Sequence, residues 1–80
     1  MTNEEEIKEY LISNNPEFRS LVEEHKSYKS KLLELGARPH VTDQDQLEEV
    51  NLKKRKLHLK DQMSRMIQAF RQDQVSHQHP

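Results

Sequence analysis

Apolar residues recur along the chain at intervals of three and four positions, separated by charged and polar residues. The clearest run occupies Phe18, Leu21, His25, Tyr28, Leu32 and Leu35. This alternating spacing is a heptad pattern, in which one stripe of an α-helix faces a partner helix. Continued toward the N-terminus, the stripe passes through Leu11 and Ile7. The pattern predicts an all-α protein.

Proline and glycine residues divide this pattern into helices. Asn15 followed by Pro16 is typical of a helix start, because Asn is a good N-cap and Pro is tolerated at the first helical position. We expect Gly36 to end that helix in the left-handed conformation and Pro39 to prevent its resumption. The segment from Thr42 to Asp45 is typical of a capping box that opens another helix.

These boundaries predict three helices, at about 3–14, 16–35 and 43–71, in a single domain that covers 1–72. The polar residues 73–80 lack periodicity, so they are expected to form a disordered tail. Two long helices joined by a short loop favour an antiparallel, coiled-coil-like hairpin with a short leading helix.

Folding the chain at Pro39 brings Leu32 opposite Leu47 and Leu21 opposite Leu57. In this register the hairpin seam consists of Phe18, Leu21, His25, Tyr28, Leu32 and Leu35 on one helix and Leu47, Val50 and Leu57 on the other.

The second long helix carries another apolar stripe on a different side, at Leu52, Leu59, Met63, Met66 and Phe70. A two-helix hairpin cannot bury two faces of one helix, so this stripe is the predicted oligomer interface. The size of the chain agrees, because a domain of 80 residues with 31% hydrophobic residues has a small core and no cysteine for a disulfide. A homo-oligomer, a dimer or higher, is therefore expected.

The segment from 53 to 60 is strongly basic, and its charged residues are Lys53, Lys54, Arg55, Lys56 and Lys60. They point to several sides of a helix, whereas DNA-reading helices concentrate basic residues on one side. In the hairpin register, residues 53–55 lie opposite Glu23 and Glu24, which favours a salt-bridged helix wall, whereas Lys60 has no acid opposite it. Glu49 with Lys53 also forms a favourable i,i+4 pair. The alternative is that the five residues contact an anion, nucleic acid in particular.

His25 lies within the seam, where a histidine is either a packed core residue or a pH-sensitive group. The register places it near Lys54, whose charge would lower the histidine pKa. We expect no catalytic, cofactor or metal site. Neither a phosphate-binding loop nor a nucleophile motif is present, and the absence of cysteine excludes a thiolate zinc site.

The net charge of −1 argues against a protein that coats nucleic acid. No apolar run reaches the roughly 18 residues of a membrane span, and the N-terminus is acidic where a signal peptide would be basic. The sequence favours a cytoplasmic chain without a membrane partner.

Two segments resemble a known family: "EFRSLVEEHKSYKSKL" at 17–32 and "LKKRKLHLKDQM" at 52–63. The pattern is similar to that of the YdcH-like family of small bacterial proteins, in which a His-x-x-Leu-Asp step precedes a Leu-Lys-Lys-x-Lys-Leu-x-Leu-Lys-Asp run. In this chain Tyr28-Lys29 replaces Leu-Asp, and Gln62 replaces a glutamate. The resemblance covers about 7–70 and implies a helical hairpin of uncharacterised role. We therefore expect a structural or protein-interaction module, with a nucleic-acid accessory protein as the alternative.

Overall fold

The computed structural model describes residues 3–78, with side chains described up to residue 74. Within these residues it contains three helices and no strand: α1 (Glu4–Asn14), α2 (Pro16–Gly36) and α3 (Asp43–Gln78). The predicted all-α class is confirmed. The molecule is elongated, with extents of 61, 19 and 18 Å along its principal axes.

The junction between α1 and α2 forms as the Asn15-Pro16 step predicts. The Asn15 side chain accepts a hydrogen bond from the Phe18 amide at 3.1 Å, and Pro16 occupies the first helical position. The Arg19 side chain donates hydrogen bonds to the carbonyls of Ile12 at 2.8 Å and Ser13 at 3.2 Å. Arg19 therefore satisfies backbone groups that the end of α1 leaves without helical partners.

The end of α2 differs from the prediction for Gly36. Gly36 lies inside the helix, and no described residue, glycine included, has a positive φ. The C-cap is Ala37, with φ −88° and ψ −7°. Its amide donates to the carbonyls of Leu33 at 3.1 Å and Glu34 at 3.2 Å. The helix tightens at its last turn, so its carbonyls are bonded without a left-handed residue.

The predicted capping box at the start of α3 is confirmed. The Asp45 amide donates to the Thr42 hydroxyl at 3.0 Å, and the Thr42 amide donates to the Asp45 carboxylate at 3.2 Å. The same carboxylate forms a salt bridge with Arg38 at 2.7 Å. Asp45 is consequently almost buried, and it fixes both the loop and the first turn of α3.

The helix α3 extends to Gln78, whereas the sequence predicted an end near 71 and a disordered tail over 73–80. Residues 79 and 80 lie outside the described residues. The longer helix has a physical reason, because no glycine or proline interrupts the sequence from 43 to 79 and arginine and glutamine favour helix.

The main buried cluster lies where α1, the first half of α2 and the second half of α3 meet. Its buried members are Ile7, Leu11, Phe18, Val22, Met63 and Ile67. Ile7 and Phe18 are completely buried. The early part of α2 thus packs with the late part of α3, while Arg38 and Asp45 join the two helices at the loop. These contacts are compatible with antiparallel packing.

The two apolar stripes of α3 have the opposite roles to those that the sequence analysis assigned. Of the stripe predicted to be an oligomer interface, Leu52, Leu59 and Met63 are buried within the chain, and Met66 and Phe70 are partly buried. The predicted seam residues of α3 are exposed instead: Leu47 by 63%, Val50 by 48% and Leu57 by 60%.

This reversal has a simple cause in the rotation of α3. Asp45 precedes Leu52 by two helical turns, so these two buried residues lie on the same face of α3, and this face is turned toward the rest of the chain. The predicted register, counted from Pro39, also put residue 22 opposite residue 56, whereas Val22 clusters with Met63. A register derived only from the position of the loop predicts neither the rotation of α3 nor its displacement along α2.

The seam predicted on α2 corresponds better to the structure. Phe18 and Leu35 are buried, and the four positions between them are partly buried: Leu21, His25, Tyr28 and Leu32. Val22, one position beyond Leu21, is a buried residue that the heptad reading omitted.

Candidate functional site

A groove of about 480 Å³ lies between the three helices, beside the main buried cluster. Apolar side chains of that cluster line part of it, Phe18, Val22, Met63 and Ile67 among them. Five lysines line the rest, and we call this feature the lysine groove; they are Lys8 of α1, Lys26 and Lys29 of α2, and Lys56 and Lys60 of α3. Glu4 is the carboxylate among the lining residues.

The structure divides the basic run between two environments. Lys53 forms the predicted i,i+4 salt bridge with Glu49, at 2.8 Å, while Lys54 and Arg55 are exposed. Lys56 and Lys60 instead line the lysine groove, where they meet lysines from the other helices.

The predicted salt-bridged wall is absent from the part of the chain that the structure describes. Glu23 and Glu24 are exposed, and neither forms a salt bridge with the basic run. The physical reason is the same displacement of α3 along α2, which brings Lys56 and Lys60 to the positions around His25.

His25 lies in the lysine groove and is partly buried. Its Nε2 atom is buried and has no hydrogen-bond partner among the described residues. Burial lowers the pKa of His25 below its usual value, and the nearby charges of Lys56, Lys8, Lys29 and Lys60 lower it further. The sequence analysis expected this direction, but it named Lys54 as the cause.

Sequence reasoning missed three lysines of the groove, Lys8, Lys26 and Lys29. Each lies on a helix surface among charged residues, and nothing in its local sequence distinguishes it. The heptad stripe was the only feature of the sequence from which the positions of these lysines could have been predicted. A register that placed His25 near Lys60 would have gathered these lysines around one histidine.

Two aromatic contacts lie in different parts of the molecule. The Tyr10 and Phe70 rings, whose centroids are 5.1 Å apart, join α1 to α3. The Lys31 ammonium lies 5.3 Å from the centroid of the Tyr28 ring, a cation–π distance. Tyr28 is therefore a surface-facing member of the predicted seam rather than the centre of a core.

The described residues contain no group of three or more histidine, cysteine or acidic side chains that could hold a metal ion. None of the helices, over the residues that the structure describes, is both long enough and apolar enough to cross a membrane.

Comparison with known proteins identifies a family but no relative of known role. Neither the curated proteins nor the solved structures contain a match to the chain. A family model described as "Protein of unknown function (DUF465)" matches residues 18–67, which is more than half of the chain. The match spans most of α2, the loop and the part of α3 that packs on α2. The YdcH-like proteins are part of the same family, so the resemblance noted in the sequence is confirmed. The chain belongs to the DUF465 family.

Proposed function

We propose that this protein is an antiparallel helical hairpin that acts in the cytoplasm as a small structural or protein-interaction module and associates with a second copy of itself. The proposal assigns it no catalytic activity. The observation that carries it is the exposed apolar face of α3, formed by Leu47, Val50 and Leu57. We call this set the outer face of α3.

The outer face has the spacing of a coiled-coil stripe. Leu47, Val50, Lys54 and Leu57 follow one another at intervals of three, four and three residues. At 100° per residue they lie on the side of α3 opposite Leu52 and Leu59, which pack against α2. A second helix could cover this stripe without disturbing the hairpin. A lysine at one such position is a known device for selecting register and oligomer state.

The size of the chain supports association. The described core is concentrated in one six-residue cluster and a few additional leucines, and small domains often need a further source of stability. Burying a leucine or valine side chain contributes roughly 1.5–3 kcal/mol, so three such residues on each copy form a useful contact.

Sedimentation velocity of the full chain over a range of concentrations tests this proposal. We expect reversible self-association in the wild type and a monomer in the double variant Leu47→Gln/Leu57→Gln, with unchanged helical circular dichroism. Leu33→Gln is the matched control, because Leu33 is as exposed as Leu47 but lies on α2. A wild-type chain that stays monomeric at the highest usable concentration contradicts the proposal.

The alternative is an accessory protein that binds nucleic acid through the basic run, and the exposure of Lys54 and Arg55 favours it. Fluorescence anisotropy with a labelled duplex and a labelled single strand tests it. Micromolar binding that weakens steeply with salt would support the alternative, because lysine and arginine contacts release counterions from the phosphates. Binding that is absent at low salt would exclude it.

A further inference from the structure

The lysine groove brings together positive charges that, among the residues that the structure describes, form no salt bridge between the helices. Five lysines, from three different helices, line one groove, and Glu4 is the carboxylate residue among the lining residues. None of these lysines forms a salt bridge in the described part of the chain. Like charges that line the same groove repel each other. An anion that entered the groove would relieve this repulsion.

His25 adds a directional group to the same groove. Its buried Nε2 has no hydrogen-bond partner among the described residues. A buried polar atom without a partner carries a free-energy cost, which a suitable ligand atom removes. A protonated imidazole donates hydrogen bonds from both nitrogens, so an anionic oxygen would suit Nε2 once lining side chains move aside and expose this buried atom.

We propose that the lysine groove binds a small phosphate-bearing anion, held by the lysine ammonium groups and by a hydrogen bond from His25. Lysine is a common phosphate ligand, and a phosphate group offers several acceptor oxygens to donors that converge from different helices. The volume of about 480 Å³ is that of a small-molecule pocket. The exposed apolar side chain of Leu57 in the lining suits a ligand with an organic body.

The arrangement favours a small anion over a nucleic-acid strand. A strand is bound along a track of positive charge, with successive phosphates contacted over many ångströms. Here Lys56 and Lys60 converge with Lys8 and Lys26 on one groove, while Lys54 and Arg55 lie outside it. The groove shares one residue with the outer face, because Leu57 lines it, whereas Leu47 and Val50 do not.

Binding must be linked to the protonation of His25. The charged groups that face it are Glu4 and Lys8 from α1, Lys26 and Lys29 from α2, and Lys56 and Lys60 from α3. A bound anion adds negative charge that opposes the lysines, so it raises the pKa of His25. By reciprocity, protonation of His25 strengthens binding, and affinity rises as the pH falls.

The test uses the full-length chain, labelled with ¹⁵N, and inorganic tripolyphosphate as the probe. NMR titration follows the backbone amides and the His25 imidazole while the affinity is measured. We expect saturable shifts at α1, α2 and α3 residues around the groove and a raised His25 pKa. Lys60→Gln should weaken binding about tenfold, the loss expected from one charged contact. The matched control is Lys54→Gln, which removes the same charge from the same helix outside the groove and should change affinity less than about threefold.

Three outcomes would overturn the proposal. The first is no saturable binding of tripolyphosphate at low salt. The second is an equal loss of affinity in Lys60→Gln and Lys54→Gln, which would show attraction to the overall charge of α3 rather than to the groove. The third is binding of a single-stranded oligonucleotide without binding of tripolyphosphate, which would favour the nucleic-acid alternative. Circular dichroism of each variant confirms that the helices remain folded.

Discussion

Thr42 and Asp45 hold each other in place across the first turn of α3. The Thr42 hydroxyl accepts from the Asp45 amide, and the Asp45 carboxylate accepts from the Thr42 amide. The same carboxylate also binds Arg38, so this pair caps the start of α3 and connects it to the loop.

The capping role of Thr42 can be tested directly. Thr42→Ala removes the hydroxyl acceptor of the Asp45 amide and should lower the free energy of unfolding by about 1 kcal/mol. Thr42→Ser keeps the acceptor and should change stability much less. Urea unfolding followed by circular dichroism measures both. Equal stability of the alanine variant and the wild type would show that the cap contributes nothing.

The reversal of the two stripes of α3 predicts a strong contrast between neighbouring leucines. Leu59 is buried and Leu57 is exposed. Leu59→Ala should therefore destabilise the fold by about 2–5 kcal/mol, whereas Leu57→Ala should change the stability of the monomer by less than about 0.5 kcal/mol. Unfolding is best measured at low protein concentration, where self-association does not contribute. A larger loss of stability in Leu57→Ala than in Leu59→Ala would contradict the observed packing and support the register that the sequence alone suggested.

The conformation of Gly36 gives a prediction of opposite sign. Gly36 is helical, and a Cβ atom placed on it would meet nothing within 4 Å. Gly36→Ala should consequently stabilise the protein by about 0.4–1 kcal/mol, because alanine restricts the unfolded chain and favours helix. A left-handed Gly36 would give destabilisation by the same substitution. Thermal and urea unfolding distinguish the two results.

His25 makes stability depend on pH. Its pKa is lowered in the folded state by burial and by the lysines, so below the ordinary histidine value of about 6.5 the unfolded chain binds more protons than the folded one. The contribution of His25 is fully favourable above that value and is lost as the pH falls toward the lowered, folded pKa. Stability should therefore decrease over this range.

His25→Gln provides the control, because it removes the titrating group and keeps a polar side chain. Thermal unfolding between about pH 7.5 and about pH 5 should show a steeper loss of stability in the wild type than in the variant. Parallel curves for the two proteins would mean that other groups cause the pH dependence. Tripolyphosphate should reduce the difference if it binds the lysine groove as proposed.

The local signals in the sequence predicted the local structure well. The Asn15-Pro16 step and the Thr42–Asp45 capping box occur where they were expected, because a cap depends on a few adjacent residues. The predictions of where the helices end were less accurate. Gly36 is compatible with both a helical and a left-handed backbone, and nothing in 71–78 requires a helix to stop.

The assignment of the stripes could not be read reliably from the sequence, because it depends on the rotation of α3 about its own axis. Two opposite apolar stripes, one through Leu47 and one through Leu52, satisfy the same heptad rule. The choice between them depends on how the three helices pack together, which buries Leu52, Leu59 and Met63. The lysine groove was missed for the same reason, since its lysines come together only in the folded register.

The main buried cluster lies far from the loop between α2 and α3, so we expect the two ends of this helix pair to differ in their resistance to local opening. Ile7 and Phe18 are completely buried there, whereas the loop end relies on Leu35, Leu52 and the Arg38–Asp45 salt bridge. Since the free energy of local opening follows the buried apolar contacts, amide hydrogens in the first half of α2 should exchange with solvent only on complete unfolding. Those near the loop should exchange through smaller openings. We therefore expect the helices to open first near the loop, and we expect the end that α1 covers to open last.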